Sequence, residues 1–526
     1  MSELVHDFIF HATCRTPRAP ALACGAQRLD YAALAQAVDS AAQTLLGAGI
    51  GRAERVAVYL EKRIENVAAC FGATFAGAVF VPVNPLLKAD QVAYILADCN
   101  VRILVTSVER LRLLAPALPG CPDLHTVLVT GAAGPLPAID GVTVLAWEQP
   151  TAVPRAPHRV IDTDMAAILY TSGSTGNPKG VVLSHRNMTA GAISVAGYLE
   201  LVPQDRVLAV LPLSFDYGLS QLTSAFHAGA CVVLINYLFP RDIVKAVADE
   251  AITGLAAVPP LWIQLAQLAW PAGCSLRYLT NSGGAMPLPT VAALRAALPD
   301  ASLYLMYGLT EAFRSTFLPP SELDRRPDSM GHAIPNAEVL VVRPDGTLCD
   351  DGEAGELVHR GALVALGYWN DPEKTAERFR PAPGQDPAMP IREIAVWSGD
   401  TVRRDAEGFL YFIGRSDDMI KVSGYRISPS EIEEAVHAAQ LVAEAAAFGV
   451  AHPVLGQAIV LLVVAREGTP LTAAALLKEC QRRLPAYMVP AHIDIRSDAF
   501  PRNPNGKIDR KLLRQSYSTL FESLTP

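Results

Sequence analysis

At 526 residues the chain exceeds what one ordinary hydrophobic core organises, so two or more domains are expected. Hydrophobic residues make up 51% and charged residues 18%, which argues against long disordered tails, and the net charge of −8 disfavours a general nucleic-acid binder. The nine cysteines (Cys14, Cys24, Cys70, Cys99, Cys121, Cys231, Cys274, Cys349 and Cys480) stand singly with no Cys-x-x-Cys pair, which suggests neither a zinc site nor a disulfide framework and fits a reducing cytoplasm.

The first residues, Met1-Ser-Glu-Leu-Val-His-Asp7, are acidic and lack a signal-peptide pattern. No uninterrupted apolar run reaches the roughly 18 residues of a membrane span. Residues 1–150 alternate between helical and strand patterns. Spacing predicts helices over 31–48, 64–76 and 91–98, and strands over 55–60, 78–82 and 101–106. Strands alternating with helices indicate a parallel sheet built from βαβ units.

An apolar run at 165–170 then leads into Tyr170-Thr-Ser-Gly-Ser-Thr-Gly-Asn-Pro-Lys-Gly180, and Val181-Val-Leu183 leads out. The pattern predicts a strand, a flexible loop and a second strand. Glycine lets backbone approach a ligand closely. Successive N–H groups with the hydroxyls of Thr171, Ser172, Ser174 and Thr175 can wrap phosphate oxygens, with Lys179 adding a charge. The Gly-Lys-[Ser/Thr] of the common P-loop is missing, and the plain alternative is a Gly/Ser surface linker. As an eleven-residue stretch it resembles the signature loop of the adenylate-forming enzymes: acyl-CoA synthetases, adenylation domains of peptide synthetases, and luciferases. By that resemblance Thr171, Ser172, Gly173, Ser174, Thr175, Gly176 and Lys179 bind ATP phosphates.

Residues 183–187 start a helix, with Asn187 as its expected cap and a packing or capping role for His185. In Leu211-Pro-Leu-Ser-Phe-Asp-Tyr-Gly-Leu-Ser-Gln221, Asp216 lies in an apolar setting, where a carboxylate is costly unless paired or hydrogen-bonded. A helix cap or a surface turn is the plain local reading. The fatty-acid-activating relatives have Phe-His-x-Tyr/Phe here. Amino-acid-activating adenylation enzymes have Phe-Asp, whose aspartate pairs the substrate amino group, and this chain has Phe215-Asp216.

The segment 280–287 would line adenine and acyl group by resemblance, with Gly283, Gly284 and Ala285 on the nucleotide. Tyr304-Leu-Met-Tyr-Gly-Leu-Thr-Glu311 resembles the family's Tyr-Gly-x-Thr-Glu motif. An aromatic such as Tyr307, beside Gly308, can stack on adenine, Thr310 can hydrogen-bond a phosphate, and Glu311 can hold Mg²⁺. The acyl pocket is assigned to Asp216, Tyr217, Ser220, Ala257, Ser282, Met306 and Arg314. Arg314 can fork onto a second carboxylate, or it is a surface arginine or one pairing a structural acid.

Short strands and turns over 331–369 suggest a small β subdomain. Further on, Asp400 would bind the ribose hydroxyls, Arg415 would lie near ribose and phosphates, and Asp417 matches the hinge between domains. From about 418 a small α/β pattern begins: a helix near Pro429 capped by Ser428, strands at 443–450 and 457–465, a helix at 471–484 and a strand at 492–496. Lys507, in Asn505-Gly-Lys-Ile508, resembles the family's catalytic lysine, and Gly424 belongs to the face expected at the site during thiol transfer.

The resemblance spans essentially the whole chain. It implies an α/β fold with a large N-terminal ATP- and acyl-binding domain (1–416), its small β subdomain, and a mobile α+β C-terminal lid (417–526). The implied reaction uses Mg·ATP to convert a carboxylic acid, in the leading reading an amino acid, to acyl-AMP with release of pyrophosphate. A thiol then takes the acyl group: phosphopantetheine on a carrier protein in trans, or CoA. No Asp-Ser attachment motif follows the lid, so the acceptor is expected on another molecule. Several segments are similar to AMP-forming ligases associated with exosortase systems. The alternatives are an acyl-CoA synthetase for a polar or aryl acid and a non-catalytic nucleotide-binding protein. Lys507, Glu311 and Asp400 are all present, which weighs against the latter.

Overall fold

The computed structural model describes residues 4–132, 134–148, 154–171, 178–415, 419–422, 425–452, 455–484, 488–503 and 506–521. Two large sheets dominate the N-terminal part. Among the described residues one has eight strands, in the order Gly367–Tyr368, Lys179–Ser184, Met165–Thr171, Val79–Pro82, Arg55–Tyr59, Val101–Ser107, Thr126–Thr130 and Thr143–Ala146. The other has nine and is parallel through its centre, where Cys231–Leu234, Arg206–Ala209, Gly254–Ala257, Tyr278–Asn281 and Ser302–Tyr307 lie side by side. Both faces of such strands are covered, which is why they read as near-continuous apolar runs.

Between the sheets run the helices Tyr31–Gly47, Ile64–Ala76, His185–Tyr198 and Asp216–Ala228. One core joins them to the inner faces of both sheets, with Leu34, Val38, Phe71, Met188, Leu222 and Phe226 meeting Val58, Phe80, Leu169, Val207 and Val232. Each large apolar side chain so buried contributes about 1.5–3 kcal/mol. The expected helices and strands of the first half lie within a residue or two of the observed ones. The cap of the helix at 185 is a correction. Ser184 is the N-cap, its Oγ accepting from the Asn187 N–H at 3.1 Å, and the Asn187 Oδ1 accepts from the Ser184 N–H at 2.8 Å. Asn187 therefore closes a reciprocal capping box from inside the first turn. His185 packs in the interior, fully buried, accepting from the Val5 N–H.

The β subdomain is a five-stranded sheet of Ala337–Val342, Ala354–Gly361, Ile394–Arg404 and Phe379–Pro381, with Leu410–Arg415 also pairing Ile394–Arg404. From residue 420 the chain builds cores of its own. Gly456–Ala465 pairs antiparallel with Val442–His452 and parallel with His492–Arg496, and the helices Pro429–His437 and Ala473–Arg483 pack on this sheet. Ser428 caps the first of these helices as expected. No helix among the described residues is long and apolar enough to cross a membrane.

Candidate active site

The expected site residues converge where parallel strands of the nine-stranded sheet end. Ser282 and Gly283 follow Tyr278–Asn281, Tyr307 closes Ser302–Tyr307, and Ala257 closes Gly254–Ala257. The carboxyl ends of adjacent parallel strands are where open α/β sheets bind ligands, because the connections diverge there.

On the nucleotide side, the Tyr307 hydroxyl donates to Asp400 Oδ2. Burial, with the Asp400 carboxylate next, holds the Tyr307 phenol well above its ordinary pKa. Asp400 is 7% exposed and burial raises its pKa, opposed by Arg415, whose Nε stands 3.7 Å from Oδ1. Asp400 Oδ1 has no hydrogen-bond donor among the described residues, so a buried acceptor faces the place expected for ribose hydroxyls. Glu311 Oε1 accepts from the Tyr368 hydroxyl at 2.6 Å, and Lys179 Nζ lies 5.2 Å over the Tyr368 ring. Burial lowers the Lys179 pKa, and Lys374 and Arg378 lower it further. A basic cluster that already repels itself gains from a bound polyanion. Glu311, Arg378, Ser398, Asp400 and Arg415 line one small cleft.

On the acyl side, Asp216 is the first residue of the helix Asp216–Ala228 and only 5% exposed. Its Oδ2 accepts from Arg314 Nη1 at 2.8 Å, and its Oδ1 accepts from the Thr310 hydroxyl at 3.3 Å. Arg314 is therefore corrected from a candidate surface arginine to a fully buried one, 1% exposed. Its guanidinium lies 4.7 Å from the centre of the Tyr217 ring, and the Tyr217 hydroxyl meets Thr280 Oγ1 at 2.6 Å. The sequence offers Arg314 a second substrate carboxylate or a structural acid as its partner; the fold pairs it with Asp216. Phe313, immediately before Arg314, has φ +56° and ψ −43°, the centre of a tight turn closed by the Arg314 N–H on the Ala312 carbonyl at 2.6 Å, a strained positive-φ conformation that costs a bulky residue on the order of 1–3 kcal/mol. That bend turns the arginine inward, where Nη1 also donates to the Phe313 carbonyl at 2.8 Å. Ser220 lies one turn beyond Asp216 on the same helix, and Met306 accepts from the Tyr198 hydroxyl at its sulfur.

The C-terminal unit reaches the same place. Lys507 Cε, Val258 Cγ1 and Phe215 Cζ all border the open side of Gly283, at 3.6, 3.5 and 3.8 Å from where a Cβ would stand. Lys507 is exposed as a whole residue, yet the protein packed around its ammonium partly desolvates it. That desolvation lowers its pKa, and Arg415 lowers it further, while Asp216, Asp400 and Glu311 raise it. Gly284 and Ala285 are exposed beside Gly283, and Gly308 packs on Arg314. Ser172, Gly173, Ser174, Thr175, Gly176, Asp417 and Gly424 lie outside the described residues. Tyr368 and Arg378 received no role from the sequence. The available signal is the aromatic pair Tyr368-Trp369 in Gly367-Tyr-Trp-Asn370.

Residues 9–369 match the family AMP-binding enzyme, and residues 431–507 match the AMP-binding enzyme C-terminal domain. An L-proline--[L-prolyl-carrier protein] ligase of Pseudomonas fluorescens is 32% identical, covering 97% of this chain and 98% of its own. A sulfoacetate--CoA ligase of Cupriavidus necator is 32% identical, covering 93% and 92%. Tyrocidine synthase 3 of Brevibacillus parabrevis is 31% identical over 100% of this chain, which spans only 8% of that protein. Among solved structures, the anthranilate CoA ligase AuaEII in complex with anthranoyl-AMP has a TM-score of 0.86 at 25% identity, covering 98% and 97% of the two chains. The o-succinylbenzoate coenzyme A synthetase of Bacillus subtilis, in complex with ATP and magnesium ion, has a TM-score of 0.82 at 25% identity, covering 98% and 100%.

Proposed function

The chain belongs to the AMP-binding enzyme family of adenylate-forming acid–thiol ligases, and from that membership we propose that it activates an amino acid and loads it on a carrier-protein phosphopantetheine. One substrate carboxylate oxygen attacks the α-phosphorus of ATP, forming acyl-AMP as the bond to pyrophosphate breaks. The acceptor thiolate then attacks the acyl carbon, forming the thioester and releasing AMP.

In this reading the first step is positioning and charge neutralisation. Lys507 bridges the substrate carboxylate and the α-phosphate. Thr310, Lys179 and the loop 171–176 hold the phosphates, Tyr307 and residues 283–285 the adenine, and Asp400 and Arg415 the ribose side. Among the described residues no group of three or more metal-ligating side chains occurs. Mg²⁺ suits such a site, since it is commonly held by one or two carboxylates together with phosphate oxygens, here Glu311 and ATP. When bound, it offsets the charge of the phosphates. A boundary at 416/417 and lid rotation about Asp417 accompany this proposal, as does a cytoplasmic location.

The observation that carries the amino-acid reading is the Asp216 carboxylate, buried at the start of its helix and near enough to Lys507 to raise the lysine's pKa. Among the described residues its Oδ1 is held by a long bond from Thr310, which leaves lone pairs for a substrate ammonium. The name of the L-prolyl-carrier protein ligase supports the same reading. A second reading, a CoA ligase for a polar acid, is favoured by Arg314: it already supplies Asp216 with a cation, as a substrate amine would. The name of the sulfoacetate--CoA ligase agrees with it. Substrate-dependent pyrophosphate release with Mg·ATP separates the two. Amino acids should respond and their des-amino analogues should not; the reverse order assigns the second reading.

A further inference from the structure

We propose that the substrate carries a second acid group, so that within the amino-acid reading it is an acidic amino acid, and that the free edge of Arg314 selects it. The inference rests on that reading and deepens it.

A guanidinium has five N–H donors in a rigid planar fork. In Arg314 the Nη1 group is engaged, donating to Asp216 Oδ2 and to the Phe313 carbonyl, each at 2.8 Å. Nε and Nη2 have no acceptor among the described residues, although the side chain is only 2% exposed. Nε–H and one Nη2–H point the same way and form the side-on face that binds a carboxylate or sulfonate through two parallel hydrogen bonds. Leaving such donors buried and unmade is costly. The placement is also built into the fold: the strained φ of Phe313 sets the chain direction, and the Tyr217 ring covers the guanidinium. The Ser220 hydroxyl, one turn from Asp216 on the same helix, likewise has no partner among the described residues.

Charge balance points to the same class. Asp216 and Arg314 together are neutral. The reacting carboxylate is common to every substrate and faces Lys507, so only the rest of the molecule discriminates. A neutral amino acid adds one uncompensated positive charge beside the buried pair. A diacid without an amine adds one negative charge. A molecule bearing both an ammonium and a second anion adds none, and its charges alternate with those of Asp216 and Arg314. Uncompensated charge in such a setting is strongly disfavoured.

The test measures pyrophosphate release with Mg·ATP and the full chain. The acids offered are aspartate and glutamate, their sulfonate counterparts cysteate and homocysteate, the amides asparagine and glutamine, and the amine-lacking succinate, glutarate and sulfoacetate. We expect kcat/KM for an acidic amino acid to exceed that for its amide about a hundredfold or more. The carboxylate and sulfonate arms identify which anion is read. Arg314→Lys keeps a cation for Asp216 but loses the forked edge, and should reduce the acid-over-amide preference about tenfold or more. If that variant fails to fold, the near-isosteric neutral pair Asp216→Asn/Arg314→Gln should abolish the preference.

Amides used as well as or better than acids, a preference unchanged in the folded variants, or no response to any acidic amino acid would each overturn the inference. Amide or other neutral amino-acid activity would still leave the amino-acid reading standing. Activity confined to succinate, glutarate or sulfoacetate would instead overturn that reading itself.

Discussion

At the scale of single residues, the acyl side of the site depends on one close approach. A Cβ on Gly191, in the helix His185–Tyr198, would stand 2.5 Å from Phe313 Cδ1, so only glycine lets that ring pack there. Gly191→Ala is expected to cost about 1–3 kcal/mol of stability by overpacking. Because Phe313 directs Arg314, the variant should also raise substrate KM more than ATP KM; a melting curve and steady-state kinetics read the two effects. On the other side, Tyr307→Phe removes the hydroxyl that donates to Asp400 while keeping the aromatic face. The ATP KM is expected to rise several-fold, with the acid KM little changed. Equal effects on both KM values would mean that the Tyr307–Asp400 bond serves the whole pocket rather than the nucleotide.

At the scale of elements, Lys507 is presented by a short hairpin, bridged at Arg502 and Ile508. Its arms are tied by the Asn503 N–H to the Lys507 carbonyl at 2.8 Å, and by the Lys507 N–H to Asn503 Oδ1 at 3.0 Å. Gly506 turns the chain at φ +80°, and its carbonyl accepts from Arg502 Nη1 at 2.9 Å. Arg502 is in turn bonded to Glu444, whose other oxygen accepts from the Phe500 N–H at 3.1 Å. Glu444 and Arg502 are thus positioning residues for the lysine. Glu444→Gln should lower the rate of adenylation about ten- to hundredfold by loosening the hairpin. Thioester formation from supplied acyl-AMP should be unaffected, since the proposed function gives Lys507 a role in the first step only. Lys507→Ala should show the same split in extreme form, and an equal loss of both half-reactions would count against the division of labour.

At the scale of the whole molecule, three histidines are buried away from the chemistry. Burial pushes His6, His185 and His359 each down to about 4, and His6 with His185 forms an edge-to-face pair that ties the N-terminal segment to the central layer. In the unfolded chain each has its ordinary pKa of 6.5. Between pH 6.5 and 4 the unfolded state therefore binds more protons than the folded one, and stability falls as pH falls through that window. The contribution is fully present above pH 6.5. Denaturant midpoints measured from pH 7.5 to 4.5 should decline below 6.5, and His359→Gln should flatten part of that decline if it retains the bond to Ser315.

The sequence by itself determined the elements and the family. Apolar periodicity marks helices and buried strands because each element has one fixed spacing of side chains, so 64–76 and 492–496 coincide with observed elements. The motifs are legible because each is a short contiguous stretch with a distinctive set of residues, as at 170–180 and 304–311. Local pattern was less able to rank competing caps, and Ser184 rather than Asn187 begins its helix because the two side chains close a reciprocal pair. Only the tertiary structure decided what Asp216 and Arg314 do to each other. They lie 98 residues apart in sequence, on a helix start and on a strained turn, and no local spacing reports a 2.8 Å contact made across two layers of the fold. The same holds for Tyr368, which reaches Glu311 from a strand at the edge of the other sheet. Burial turns such meetings into chemistry, since a charge removed from water must find its partner in the protein or in the ligand.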